Sequence, residues 1–285
     1  MIKHLCVIGV GLIGGSLALA LKKAGYVDHV TGLGRSVENL QTAKQLGIID
    51  SYETDYARAV SHADMVFISV PIGAMQEVFT KIEPHLQKHA IVTDGGSAKH
   101  TVIEAAQNNF KLKIKQFVPG HPIAGTEKSG SAAAFASLYI DRRVILTPLE
   151  ENSPDAVAKV RAMWEATGAE VDEMGARHHD LVLAGTSHLP HILAFALVDC
   201  LNNLEDVNEI FKYAAGGFRD FTRIASSDPV MWRDICLSNS EAILAMMNSF
   251  QTQIDGLKDS IQKGDSEAIL KLFSDAKKAR DDFSM

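Results

Sequence analysis

Two short stretches hold residues whose types and spacing can do chemistry. Gly9-Val10-Gly11-Leu12-Ile13-Gly14 sets three glycines in GxGxxG spacing, and Gly120-His121-Pro122 sets a histidine between a flexible residue and a rigid one. Histidine, with an ordinary pKa of about 6.5, can take a hydroxyl proton near neutral pH as hydride leaves the same carbon. Pro122 biases His121 toward extended backbone, and the glycines around it permit close approach of a ligand. In the first motif Gly9 makes the tight turn, Gly11 lets backbone approach a pyrophosphate, and Gly14 lets helix and strand pack closely. Leu12 and Ile13 open the helix whose N-terminus stabilises the phosphate charge. Together the stretches imply a dinucleotide beside a general base.

The end of the next strand bears on which dinucleotide. NAD sites usually place Asp or Glu about 20 residues beyond the glycine motif to hold the ribose hydroxyls. Here that place holds Gly34, followed by Arg35 and Ser36, a cation and a hydroxyl suited to a 2′-phosphate. NADP is therefore the preferred cofactor, with NAD possible. Ser36 also fits the N-cap of a helix beginning at Val37, and Arg35 fits a solvated surface charge. The strand ending Ile68-Ser69-Val70-Pro71 brings Ser69 and Val70 to the same crevice, mainly through backbone.

Elements to position these residues can be read from periodicity. Short apolar runs (4–8, 29–33, 65–70, 90–93, 116–118, 144–147 and 170–171) alternate with helical-period segments (12–23, 37–46, 74–82, 101–108 and 155–167). That alternation predicts an α/β Rossmann-type doubly wound domain over residues 1–173. Beyond Met174 the pattern turns helical, with long stretches at 189–204 and 239–261. Residues 174–285 are thus expected to form an all-α helical domain for substrate binding and dimerisation. Its broad apolar faces point to a homodimer.

Bulk composition narrows the class further. The chain has 285 residues, 46% hydrophobic and 22% charged, with a net charge of −7, and no Lys/Arg cluster that would suit nucleic acid. Its cysteines, Cys6, Cys200 and Cys236, have neither disulfide-framework nor zinc spacing, which suits a reducing, cytoplasmic setting. The uncharged run from Leu5 to Leu21 imitates a signal peptide, but its glycines suit a strand, turn and helix instead. No membrane association is expected. The tandem His178-His179 with Asp180 reads as a solvated helix start.

Longer segments carry a family likeness. Gly120-His-Pro-Ile-Ala-Gly-Thr-Glu-Lys-Ser-Gly130 closely resembles the catalytic-histidine motif of prephenate and arogenate dehydrogenases. So do Asp94-Gly-Gly-Ser97-Ala-Lys99, Ser187-His188-Leu-Pro-His191, Gly216-Gly-Phe-Arg219-Asp220-Phe-Thr-Arg223 and Met231-Trp232-Arg233-Asp234. The resemblance implies oxidative decarboxylation of prephenate or arogenate with hydride passing to NAD(P). It makes His121 the base, places Ser97 near His121 and the nicotinamide, gives His188 to substrate binding, and gives Arg223 to a substrate carboxylate. Arg219, one turn from Arg223, either faces the ligand or pairs with Asp220, Asp228 or Glu127. Glu127 gates the site or orders its water, and Trp232 packs on the substrate ring or anchors the helical core. His188 and His191 stand at i, i+3, but no cysteine or paired carboxylate completes a metal set, so no metal is expected. The rivals are a β-hydroxyacid dehydrogenase, whose lysine motif is not evident, and a non-catalytic cofactor-binding protein, in which loss of the base would be expected.

Overall fold

The computed structural model describes residues 1–111, 113–205 and 207–283. The first half is built on a six-stranded parallel sheet. Its strands are β1 (Ile2–Ile8), β2 (Val27–Leu33), β3 (Ser51–Glu53), β4 (Met65–Ile68), β5 (Ile91–Asp94) and β6 (Phe117–Val118), in the order β3-β2-β1-β4-β5-β6. Alternate residues of a strand enter opposite cores. Leu5 and Val7 of β1, with Met65 and Phe67 of β4, join one hydrophobic cluster, whereas Cys6, Ile8, Val66 and Ile68 join the other. A parallel sheet buried on both faces needs apolar residues at every position, which explains the continuous runs.

Helices α1 (Leu12–Lys23), α2 (Val37–Gln45), α3 (Tyr56–Val60), α4 (Met75–Ile82) and α5 (His100–Asn109) make the crossovers. The strand order reverses between β1 and β4, so the chain leaves these neighbours in opposite directions and opens a crevice at their carboxyl ends. Ser36 Oγ caps α2 by accepting from Asn39 N at 3.2 Å, the local role expected for it.

The expected strands at 144–147 and 170–171 form, but outside the main sheet. They are β8 (Arg143–Leu146) and β9 (Glu170–Glu173), in a second sheet of order β7-β8-β9 with β7 (Gly120–Pro122). β7 runs antiparallel to β8, pairing His121 with Ile145. His121 therefore sits inside a short strand, in keeping with the extended backbone that Pro122 favours, and Pro119 stands where the chain leaves the main sheet after β6. Helix α6 (Pro154–Glu165) connects β8 to β9, capped by Ser153 Oγ on Ala156 N at 3.1 Å.

The remainder is helical. It comprises α7 (Ala176–Leu183), a π-helical turn (Ala184–His188), α8 (Leu189–Asn202), α9 (Val207–Lys212), α10 (Gly216–Thr222), a 3₁₀ turn (Arg223–Ser226), α11 (Pro229–Ser238), α12 (Ser240–Lys263) and α13 (Ser266–Phe283). Chain contacts divide the molecule after Ser240, into Met1–Ser240 and Glu241–Met285. Within the second unit Gly264, at φ 64°, ends α12, and Asp265 caps α13 through Ala268 N at 3.0 Å.

Candidate active site

The glycine motif forms the turn between β1 and α1. Gly9 has φ 94°, a region that side chains rarely adopt, and a Cβ there would lie 2.6 Å from the Ser69 carbonyl oxygen. A Cβ on Gly14 would lie 2.5 Å from the Gly9 carbonyl oxygen and 2.7 Å from Val7 Cγ1, so α1 packs onto β1 at glycine distance. Gly11 differs: a Cβ there would meet nothing within 4 Å. Its lack of a side chain keeps a space open at the N-terminus of α1, where no side chain caps the helix and the first turn holds no acid. Free N–H groups facing an open, uncharged space fit a pyrophosphate.

Ser69 closes the floor of this turn, donating to Gly9 O at 2.8 Å, with Val70 half-buried beside it. Leu12 is buried and Ile13 half-buried in the first turn of α1. Arg35 is exposed at the end of β2, and the Ser36 hydroxyl, accepting from Asn39, keeps its own hydrogen to donate.

The histidine lies beyond the crevice strands, in a network that sequence reading missed. His121 is 8% exposed, and its Nδ1 is 2.8 Å from His179 Nε2; His179 Nδ1 is in turn 2.8 Å from Asp180 Oδ1. Asp180 also accepts from the backbone N–H groups of Lys99, at 2.8 Å, and His100, at 2.9 Å. These contacts assign every proton. A carboxylate only accepts, so His179 Nδ1 donates to Asp180. His179 Nε2 is then an acceptor, and His121 Nδ1 must donate to it. The lone pair of His121 Nε2 is left free, as a base requires.

Electrostatics keep that ring unprotonated. Burial, followed by the charges of His179, Lys99 and His188, pushes the His121 imidazole well below its ordinary pKa. Burial lowers His179 as well, against the opposing pull of Asp180. For Asp180, burial alone would raise the carboxyl, but hydrogen bonds from His179, His100 and Lys99 outweigh it and hold the group ionised. The expected solvated helix start at His178-His179-Asp180 is thus corrected: His179 and Asp180 are buried, and only His178 is exposed.

His188 is buried in the π-helical turn, a distortion often found at functional sites. Asn239 Nδ2 donates to Asp180 O at 2.8 Å and approaches His188 Nδ1 at 3.1 Å, so Nδ1 is the acceptor and Nε2 carries the hydrogen. Among the described residues that Nε2–H has no partner of normal hydrogen-bond geometry, although the Ser97 backbone lies near enough to the ring to raise its pKa against burial, so the buried donor can turn to a ligand. Burial depresses the His188 pKa to about 4, so the ring is neutral near pH 7. Trp232 is 7% exposed and stacks on His191 at 3.9 Å between ring centroids, with its edge toward His188 at 6.1 Å. It thereby orients the two histidines from α11.

Other expected site residues are placed more loosely. Ser97 is half-buried in the segment between β5 and α5, and His121 Nδ1 is bonded to His179 rather than to it. Arg223 pairs with Glu127 at 3.5 Å, both side chains largely exposed. Arg223 also lies near enough to His191 to help lower its pKa, after burial and against the Ser187 carbonyl. Arg219 is exposed one turn earlier, on α10.

An anion-ready glycine turn at a Rossmann switch point, in one chain with a buried and tautomer-fixed histidine, defines a dinucleotide-dependent dehydrogenase class. Comparison with known proteins makes the family specific. Sequence models of "Prephenate dehydrogenase, nucleotide-binding domain" and "Prephenate dehydrogenase, dimerization domain" match residues 17–173 and 175–275. The cyclohexadienyl dehydrogenase of Zymomonas mobilis is 40% identical over 98% of this chain and 95% of its own. Among solved structures, prephenate dehydrogenase of Aquifex aeolicus, in complex with hydroxyphenyl propionate and NAD+, superposes with a TM-score of 0.92 at 37% identity, covering 98% of each chain. Arogenate dehydrogenase of Synechocystis gives 0.82 at 27%, covering 99% of this chain and 100% of its own. The chain belongs to the prephenate dehydrogenase family.

Proposed function

We propose that this protein oxidatively decarboxylates prephenate, arogenate or both, passing hydride to NAD(P) and giving the phenol precursor of tyrosine or tyrosine itself. The observation that carries the reading is the free lone pair of His121 Nε2, set by the chain through His179 to Asp180. His121 takes the carbinol proton, and the resulting imidazolium is stabilised by sharing its other proton with His179 against the Asp180 charge. The bound nicotinamide supplies the hydride acceptor. Loss of hydride makes the ring carbon a ketone conjugated to the carbon that bears the carboxylate, so carbon dioxide departs and the ring aromatises. Neutral His188 offers its Nε2–H to substrate oxygen. Arg223 binds a carboxylate on exchanging Glu127 for it, and Arg219 adds positive charge to the same rim. Ser97 stands near the nicotinamide.

NADP is the preferred cofactor in this reading, with NAD also used, because Arg35 and the Ser36 hydroxyl stand where a carboxylate would repel the 2′-phosphate. Residues 1–173 hold the cofactor, whereas 174–285 complete the substrate site and join a second copy in a cytoplasmic homodimer. Support for the dimer comes from uncovered apolar faces. The helical stretch Ala176–Asn202 is long and apolar enough to cross a membrane, yet it carries the buried site residues His179, Asp180 and His188. On α12, Leu244, Met247, Phe250, Ile254 and Ile261 repeat at helical spacing and are exposed. Reduced-cofactor absorbance with prephenate and arogenate, each paired with NAD and NADP, tests the whole reading. Turnover in at least one pairing is expected, and its absence in all four from folded, cofactor-binding protein would overturn it.

A further inference from the structure

The reaction as proposed uses His121 and its partners but not the buried charged pair beside them. Lys99 and Asp94 are both 0% exposed and meet at 2.5 Å. Their contacts converge on the peptide groups just before the base. Asp94 Oδ1 accepts from Gly120 N at 3.1 Å, and Lys99 Nζ donates to Gly120 O at 2.7 Å. Both polar groups of Gly120 are thereby held, one by each member of the pair. The other end of the same segment holds the relay, since the N–H groups of Lys99 and His100 bind the two oxygens of Asp180. Asp94 Oδ2 also accepts from Gly96 N at 2.8 Å, where a Cβ on Gly96 would crowd it at 2.9 Å. The backbone between Asp94 and Lys99 is thus wound tightly around its own ion pair.

We infer that Lys99 and Asp94 are positioning residues for the base: the pair clamps Gly120 and, through the Lys99 backbone, Asp180, so that His121, His179 and Asp180 stay in line without substrate. A buried ion pair is a weak source of stability, because desolvation offsets the attraction. Its value here is geometric: the two charges hold Gly120 beside His121, and the backbone wound around them presents the N–H groups of Lys99 and His100 to Asp180 at the other end of the chain. The pair also has an electrostatic consequence. The groups facing His121 are His179 from α7, Lys99 from the β5–α5 segment and His188 from the π-helical turn, while Asp94 and Asp180 face Lys99. Burial lowers the Lys99 pKa while Asp94 and Asp180 pull it back up, and the positive charge that the pair so retains opposes imidazolium formation at His121, extending the working range of the base toward acid.

The inference rests on the proposed reaction for its kinetic readout and is tested independently of it by the state of the His121 ring. The test uses the full chain carrying Lys99→Met with Asp94→Asn, which removes both charges at similar volume. Turnover of prephenate and arogenate is followed against pH. Imidazole nitrogen NMR on ¹⁵N-histidine protein is run in parallel, with His121 assigned by its loss in His121→Asn. The expected result is a kcat lower by about tenfold or more with KM and cofactor affinity within about twofold. The acid limb should move up by roughly half a pH unit, and the His121 nitrogens should average between tautomers instead of showing Nδ1–H alone. Full kcat, an unmoved acid limb and unchanged ring signals would make the pair merely structural and overturn the inference. If the unsubstituted chain turns over neither substrate, the proposed reaction falls while the ring signals still decide the positioning role. Should the double variant not fold, Asp94→Glu keeps the charge and displaces the carboxylate by one methylene; the same two readings then decide.

Discussion

The molecule contains two polar regions built on opposite terms. Around His121 every charged or titratable side chain that contacts it is buried and hydrogen-bonded, and the direction of each proton follows from its neighbours. Around Arg223 the arginine is 63% exposed and Glu127 44%, and their single contact is 3.5 Å long. Buried networks are held in one geometry because an unmade bond there costs the full desolvation of the group, whereas exposed pairs exchange partners at little cost. The proposed proton-transfer network is therefore built before substrate arrives, and the rim proposed to bind its carboxylate is free to rearrange around it.

This contrast can be broken or sharpened by experiment. The largest effect is expected from His121→Asn, which removes the free lone pair; kcat should fall by about 10²–10⁴-fold, with cofactor binding by titration unchanged. Retained turnover would remove His121 from the role of base. Next comes Asp180→Asn, which lets either orientation of His179 form. A roughly 10²-fold loss of kcat is expected, with a stability loss of about 1–3 kcal/mol from the unsatisfied amide of the buried network, read by turnover and denaturant unfolding.

The glycine turn allows a paired test. Gly14→Ala forces a Cβ to within 2.5 Å of the Gly9 carbonyl oxygen and should unfold or strongly destabilise the chain, whereas Gly11→Ala has open space, should melt as the parent does, and should bind cofactor more weakly. Equal effects on melting would contradict an open pyrophosphate space. At the exposed rim, Arg223→Ala should mainly raise KM and shift the unfolding free energy by no more than about 1 kcal/mol. A large loss of kcat at unchanged KM would place Arg223 in the buried class instead.

The pH dependence of stability separates the regions further. Burial depresses the pKa of His121, His179 and His188, the last to about 4. Below about 6.5 the unfolded chain therefore binds more protons than the folded one. Stability from these groups is complete above that pH and is lost as pH falls from there toward about 4 for His188. Melting temperatures taken from pH 7 to pH 4 should decline, and His188→Asn should flatten the decline; a pH-independent parent melting curve would contradict neutral burial.

Much of this was legible in the chain itself. The strands β1, β2, β4 and β5 and the helix after each glycine or capping residue follow from local rules, since apolar runs buried on both faces and a GxGxxG turn admit few other structures. His121 was identifiable because a histidine between glycine and proline is a local pattern, and the capping by Ser36 depends only on residues three apart. The second sheet was not legible, because three- and four-residue strands owe their pairing to partners 22 to 27 residues away. His179 and Asp180 escaped for a related reason: a polar tandem at a helix start is ordinarily solvated, and only packing of α7 against the β5–α5 segment buries it. The amino-acid order by itself determined the dinucleotide fold, the histidine proposed as base and the family. Tertiary structure alone decided the tautomer of that base and the pairing of Arg223 with Glu127, since both depend on residues brought together across 58 and 96 positions of chain.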